Sequence, residues 1–120
     1  MKVDKLIKLN VSIGRFFEGY TTYEINLITG QCIKSYWRGS EDKNIQTLIL
    51  SLEQLRHLTK QLQLIAPLTW HSNYINPDYY EGTKWSVELY TSSYIKKYGV
   101  NQFPQTWDVL CETLEGIFNT

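Results

Sequence analysis

Two histidines, His57 and His71, and two cysteines, Cys32 and Cys111, are the side chains in this 120-residue chain best suited to proton transfer, metal binding or nucleophilic attack. His71 stands beside Trp70 in the stretch WHSNYINPDYYEGTKW, residues 70–85, with Asp78 and Glu81 a short distance on. A histidine near a carboxylate has the parts of an acid–base pair. The competing reading is a partly buried structural histidine, and it is preferred because spacing alone supplies no proton-transfer geometry. Neither histidine has a Cys or His partner at zinc-ligand spacing, so no metal site is expected. No phosphate-cradling glycine loop and no Gly-x-Ser-x-Gly elbow occurs, so no cofactor is expected. Cys111 falls on a helical apolar stripe and Cys32 in a strand without a nearby base, which reads as two inert thiols.

The same stretch carries Trp70, Trp85, Tyr74, Tyr79 and Tyr80. Tyrosine and tryptophan combine large area with a polar handle and are enriched at interface hot spots. Asn76-Pro77-Asp78 is a turn signal that should lift its neighbours towards solvent. Trp70, His71, Tyr74, Asp78, Tyr79 and Tyr80 are therefore the candidate partner-binding residues, with at least two of the three tyrosines expected to be exposed. The alternative is that these rings only cap the edge of the core.

The elements that must position these residues follow from periodicity. In KLIKLNVSI, Ile7, Leu9, Val11 and Ile13 alternate with Lys8, Asn10 and Ser12, which predicts a half-buried strand with a solvated outer face. YTTYEINLI places Tyr23, Ile25 and Leu27 on one face, and QCIKSYWR places Ile33, Ser35 and Trp37 in alternation. A three-residue loop ending at Gly30 would pair Ile25 with Ile33 and keep the apolar face continuous. Residues 39–44 read as a loop, followed by a short strand in IQTLIL.

Ser51 and Gln54 form a capping-box pattern, with Leu50 and Leu55 at the staple positions. Leu52, Leu55, Leu58, Leu62 and Ile65 make one helical stripe, ended by Pro67. KWSVELYT sets Trp85, Val87 and Leu89 on a core face, TSS turns the chain, and YIKKY completes a hairpin. The last segment predicts a helix with Pro104 in its first position, and Trp107, Leu110, Leu114 and Ile117 on its stripe. An antiparallel sheet of five or six strands with both helices on one face, in the order β-β-β-(β)-α-β-β-α, satisfies this pattern.

Composition narrows the function further. Twelve basic and twelve acidic residues cancel, removing the general attraction to phosphate on which nucleic-acid binding depends. The apolar runs fall short of a membrane span and the start lacks a signal-peptide pattern, so a cytoplasmic protein of one domain, residues 1–120, is expected. The sequence leaves the oligomeric state open.

EGTKWSVEL and GVNQFPQTW, within residues 81–110, resemble small uncharacterised bacterial domains. Those domains carry an acidic-Gly-x-x-Trp strand and a Gly-x-Asn-x-aromatic-Pro-x-x-aromatic helix entry. Glu81 stands where aspartate is the commoner acid. The resemblance covers about a quarter of the chain and implies a fold of hairpins and helices, with no activity to carry over. The residues of the second motif read as structural: Gly99 frees a tight exit from the strand, Asn101 bonds nearby backbone, and Trp85 packs with Trp107 around the corner. An anion site at the helix start lacks any basic residue between 98 and 120.

The function expected from these observations is a non-catalytic protein-binding module, such as a bacterial or phage inhibitor or immunity-type factor, with another protein as partner. The alternatives are a small-ligand binder, with a pocket between the aromatic connection and the sheet, and an enzyme centred on His71.

Overall fold

Alternation in the strands and two apolar helical stripes produce an α+β fold in which one sheet is covered on one face. The computed structural model describes residues 5–15, 18–38, 42–75 and 82–119. Strands β1 (Lys8–Arg15), β2 (Gly19–Asn26), β3 (Gln31–Arg38) and β4 (Asp42–Ile49) form a meander. Helix α1 (Leu52–Ile65) and a 3-10 turn, Pro67–Thr69, lead to β5 (Asn73–Ile75). The hairpin of β6 (Lys84–Tyr90) and β7 (Tyr94–Val100) follows, and α2 (Trp107–Phe118) ends the fold.

The seven strands are ordered β4-β3-β2-β1-β6-β7-β5 and are antiparallel except that β5 runs parallel to β7. This exceeds the expected five or six strands. β5 is only three residues long, too short to show a period of two. β4 begins at Asp42, inside the segment expected to be a loop, because polar residues are well tolerated on an exposed edge strand.

Register departs from expectation at one turn. Ile25 pairs with Cys32, and Ile33 lies opposite Glu24. The loop holds four residues, because the Asn26 side chain accepts from the backbone N–H groups of Ile28 at 2.9 Å and Thr29 at 3.0 Å. Gly30, at φ 82°, closes it by donating to the Asn26 carbonyl at 2.9 Å. One extra residue turns β3 over. Cys32 is therefore in the core, whereas Ile33, Ser35 and Trp37 share the uncovered face.

The core is built from Leu9, Val11, Tyr23, Ile25, Val87, Leu89 and Trp85 of the sheet against Leu58, Leu62, Ile65, Leu110 and Leu114 of the helices. Burying such side chains fully contributes roughly 1.5–3 kcal/mol each. Ser51 caps α1 as expected, with its hydroxyl accepting from Gln54 N–H at 3.1 Å and the Gln54 side chain accepting from Ser51 N–H at 2.8 Å. Leu52, expected on the stripe, is exposed in the first turn, and Ile7 is exposed at the entry to β1. The stripe is narrower than its sequence period because the helix touches the sheet only from Leu55 onward.

α2 starts three residues after the expected position: Pro104 forms the preceding turn, accepting from Trp107 N–H at 3.1 Å. The Thr106 hydroxyl donates to the Ile65 carbonyl at 2.8 Å, which ties the start of α2 to the end of α1. Glu115 then fastens α2 to the sheet, accepting from the Tyr23 hydroxyl and from Lys34 Nζ at 3.1 and 3.2 Å. Among the described residues, no helix is long and apolar enough to cross a membrane.

Candidate functional site

Two regions concentrate the side chains that could recognise something. The first is the corner where the aromatic stretch meets β6, β7 and α2. Trp70 is buried there and donates its indole N–H to Thr106 Oγ1 at 2.9 Å. Trp85 lies 4.8 Å from Trp107 between ring centroids and 5.9 Å, edge-on, from Trp70. Its own indole N–H donates to the Gln102 carbonyl at 2.7 Å. With their indole N–H groups satisfied internally, Trp70 and Trp85 are core, and Trp107 is buried beside them.

Tyr74 is half-buried on β5, its ring 5.7 Å from Trp85, and its hydroxyl accepts from His71 N–H at 3.0 Å. His71 is exposed, with its ring 5.6 Å from that of Tyr74. Asp78, Tyr79 and Tyr80, together with Asn76, Pro77 and Glu81, lie outside the described residues. Residues 76–81 of the connection that was expected to border a pocket lie outside the described residues, and its described part brings the Tyr74 ring against that of Trp85.

Gly99 serves a purpose other than the strand exit expected of it. It lies within β7, and a Cβ there would meet Trp85 Nε1 at 2.5 Å and the Tyr74 carbonyl at 2.6 Å. Its missing side chain lets ring and backbone close on the strand. Asn101, at φ 57°, turns the chain and accepts from Thr83 N–H at 2.9 Å, clasping the far end of the hairpin. Beneath the stretch, the buried Lys97 donates from Nζ to the Trp70 carbonyl at 2.6 Å.

The second region is the uncovered face of the sheet. Cross-strand pairing lines up Ser35, Thr22, Ser12 and Ser86 in one row, and Ile33, Glu24, Asn10 and Glu88 in the next. Trp37 stacks on Tyr20 at 5.3 Å along one side of these rows, with 41% of its surface exposed. On the other side, the Tyr94 hydroxyl donates to Glu88 at 2.6 Å, and Lys8 Nζ lies 5.4 Å from the centre of the Tyr90 ring. The hydrogen bond to Glu88 pushes the Tyr94 phenol up to about 12.

A shallow cavity of about 320 Å³ opens between these groups, lined among others by Asn10, Thr22, Glu24, Trp37 and Glu88. Asn10 Oδ1 is buried there and has no hydrogen-bond partner among the described residues.

Sequence reasoning missed this face as a site. The signal was the outward set Lys8, Asn10 and Ser12, but the inverted β3 placed Trp37 on the wrong side of it.

Chemistry is sparse elsewhere. Among the described residues, no group of three His, Cys, Asp or Glu side chains could hold a metal ion. Both cysteines are free, and burial pushes each thiol up to about 11, well away from the thiolate needed for attack. No model of a known protein family and no curated protein matches this chain.

Proposed function

We propose that the chain is a non-catalytic protein-binding module, of the small inhibitor or immunity-factor kind, whose uncovered sheet face receives the partner. The observation that carries this reading is the exposure of large side chains on that face: Trp37, Tyr98 and Tyr94. Two helices cannot cover both faces of seven strands, and the surplus face displays rings next to hydroxyl and carboxylate groups. Aromatic anchors amid polar groups suit a protein surface that buries the rings and bonds to the rim. Tyr79 and Tyr80 remain candidates for an extension of that surface. The enzyme alternative gains nothing from His71, whose described neighbour is the Tyr74 ring.

The test compares capture of a binding protein by the native chain, by a Trp37→Ala, Tyr98→Ala variant and by a Leu64→Ala control on the exposed side of α1. Loss of the captured protein only with the sheet-face variant, at an unchanged melting temperature, supports the proposal. Equal capture by all three moves the interface elsewhere.

A further inference from the structure

The outer edge of β4 carries a second kind of information, in its backbone. Leu50 N–H donates to the Gly30 carbonyl at 2.9 Å, continuing the register in which Ile49 lies opposite Gln31. In an antiparallel ladder, residues alternate between facing their partner and facing away. Ile45, Thr47 and Ile49 therefore turn both N–H and C=O outward, to a side where the described sheet has no further strand.

Exposed edges are normally guarded by proline, by a bulge or by charges within the strand. β4 has no proline and pairs without interruption over eight residues, from Gln31 opposite Ile49 to Arg38 opposite Asp42. The charges of β4 are confined to its first two residues, Asp42 and Lys43, and the seven that follow, NIQTLIL, contain none.

We propose that this edge pairs antiparallel with the β4 edge of a second copy of the chain, joining two sheets across a two-fold axis at Thr47. Three features favour a copy over a foreign strand. A two-fold axis at Thr47 sets that position against its own copy and gathers residues 45–49 of both chains around it, where a charge would be held close to its symmetry mate, and this stretch has none. With Thr47 on the axis, Ile45 of one copy faces Ile49 of the other, twice, which covers side chains that are 51% and 75% exposed in the single chain. This register also joins outward-facing residues only to outward-facing residues, as a hydrogen-bonded ladder requires. The chain's net charge of zero leaves no general repulsion between copies. A single strand pair is a small interface, so the dimer dissociates on dilution. The proposal is independent of which partner the sheet face binds, and pairing would make the two uncovered faces continuous.

Sedimentation velocity over a concentration series tests it with two variants. Thr47→Lys places two ammonium groups against each other on the axis and leaves the β3 ladder untouched. Thr47→Pro removes an outward N–H, a loss that an edge strand tolerates. The native chain should show concentration-dependent dimer up to several hundred micromolar, and both variants should stay monomeric with unchanged circular dichroism. A native chain that remains monomeric throughout overturns the proposal. So does a folded Thr47→Lys chain that dimerises as well as the native one, and that variant decides if Thr47→Pro fails to fold.

Discussion

The corner around Trp85 and the β3–β4 end of the sheet are both rich in aromatic and branched side chains, yet they meet opposite fates. At the corner, Trp70 and Trp85 are buried against Trp107 of α2 and spend their indole N–H groups on Thr106 and Gln102. At the other end, Trp37, Ile45 and Ile49 are exposed, and the Tyr36 hydroxyl donates to the Glu18 carbonyl at 2.6 Å. The difference lies in coverage rather than in composition. Whether a tryptophan is structural or available depends on whether a second layer reaches it.

The most severe way to break this contrast is at the corner. Trp85→Ala removes the ring at the centre of the cluster and should cost about 3–5 kcal/mol of unfolding free energy in a denaturant titration. A loss under about 1 kcal/mol would mean that the corner is no more core than the open face. Gly99→Ala comes next. Its Cβ would fall 2.5 Å from Trp85 Nε1, forcing ring and strand apart, so about 1–3 kcal/mol of destabilisation is expected.

At the far end, Trp37→Ala should shift stability by less than about 1 kcal/mol, since among the described residues its ring stacks on Tyr20 alone and 41% of its surface stays exposed. Thermal melts of the Trp37 and Trp85 variants side by side give the sharpest form of the comparison.

The smallest effect concerns Tyr94. Its phenol is raised in the folded chain, so the stability it contributes is present below pH 10 and is lost as pH rises through about 12. An ultraviolet titration should show late ionisation of Tyr94 and, beside it, of Tyr90, with the Tyr94 phenol moving towards the ordinary range in Glu88→Gln. If the titration curve is unchanged, the Glu88 hydrogen bond does not control that phenol.

These two tryptophans also show what was legible in the sequence. Trp85 alternates with Val87 and Leu89, two apolar residues that settle the face of β6 without help from any loop. The face of Trp37 depended on the length of the preceding turn. Keeping Ile25 against Ile33 favoured three residues, but the Asn26 side chain stabilises four, a competition between local hydrogen bonds and apolar matching. The capping box of α1 was readable because both partners are local. β5 was not, since a three-residue strand owes its existence to a parallel partner over twenty positions away. Of the candidate site, Trp70 lies inside and His71 and Tyr74 at the margin. The uncovered face was visible strand by strand, but its lack of a cover is a property of the assembled layers.

The position of β1 bears on time as well as on structure. The meander from β1 to β4 closes through short turns, whereas β1 meets β6 only across some eighty positions of chain, as in the pairing of Leu9 with Leu89. Joining such distant segments carries a loop-closure entropy before any contact rewards it, and non-local pairing slows folding at a given stability. The chain thus has a quick half and a slow seam. Val11 and Val87, paired in that seam and fully or almost fully buried, belong to the region whose amide hydrogens exchange last. Until the seam closes, the neutral edge of β4 can already be formed and exposed, so concentration during refolding decides whether it first meets water or another chain.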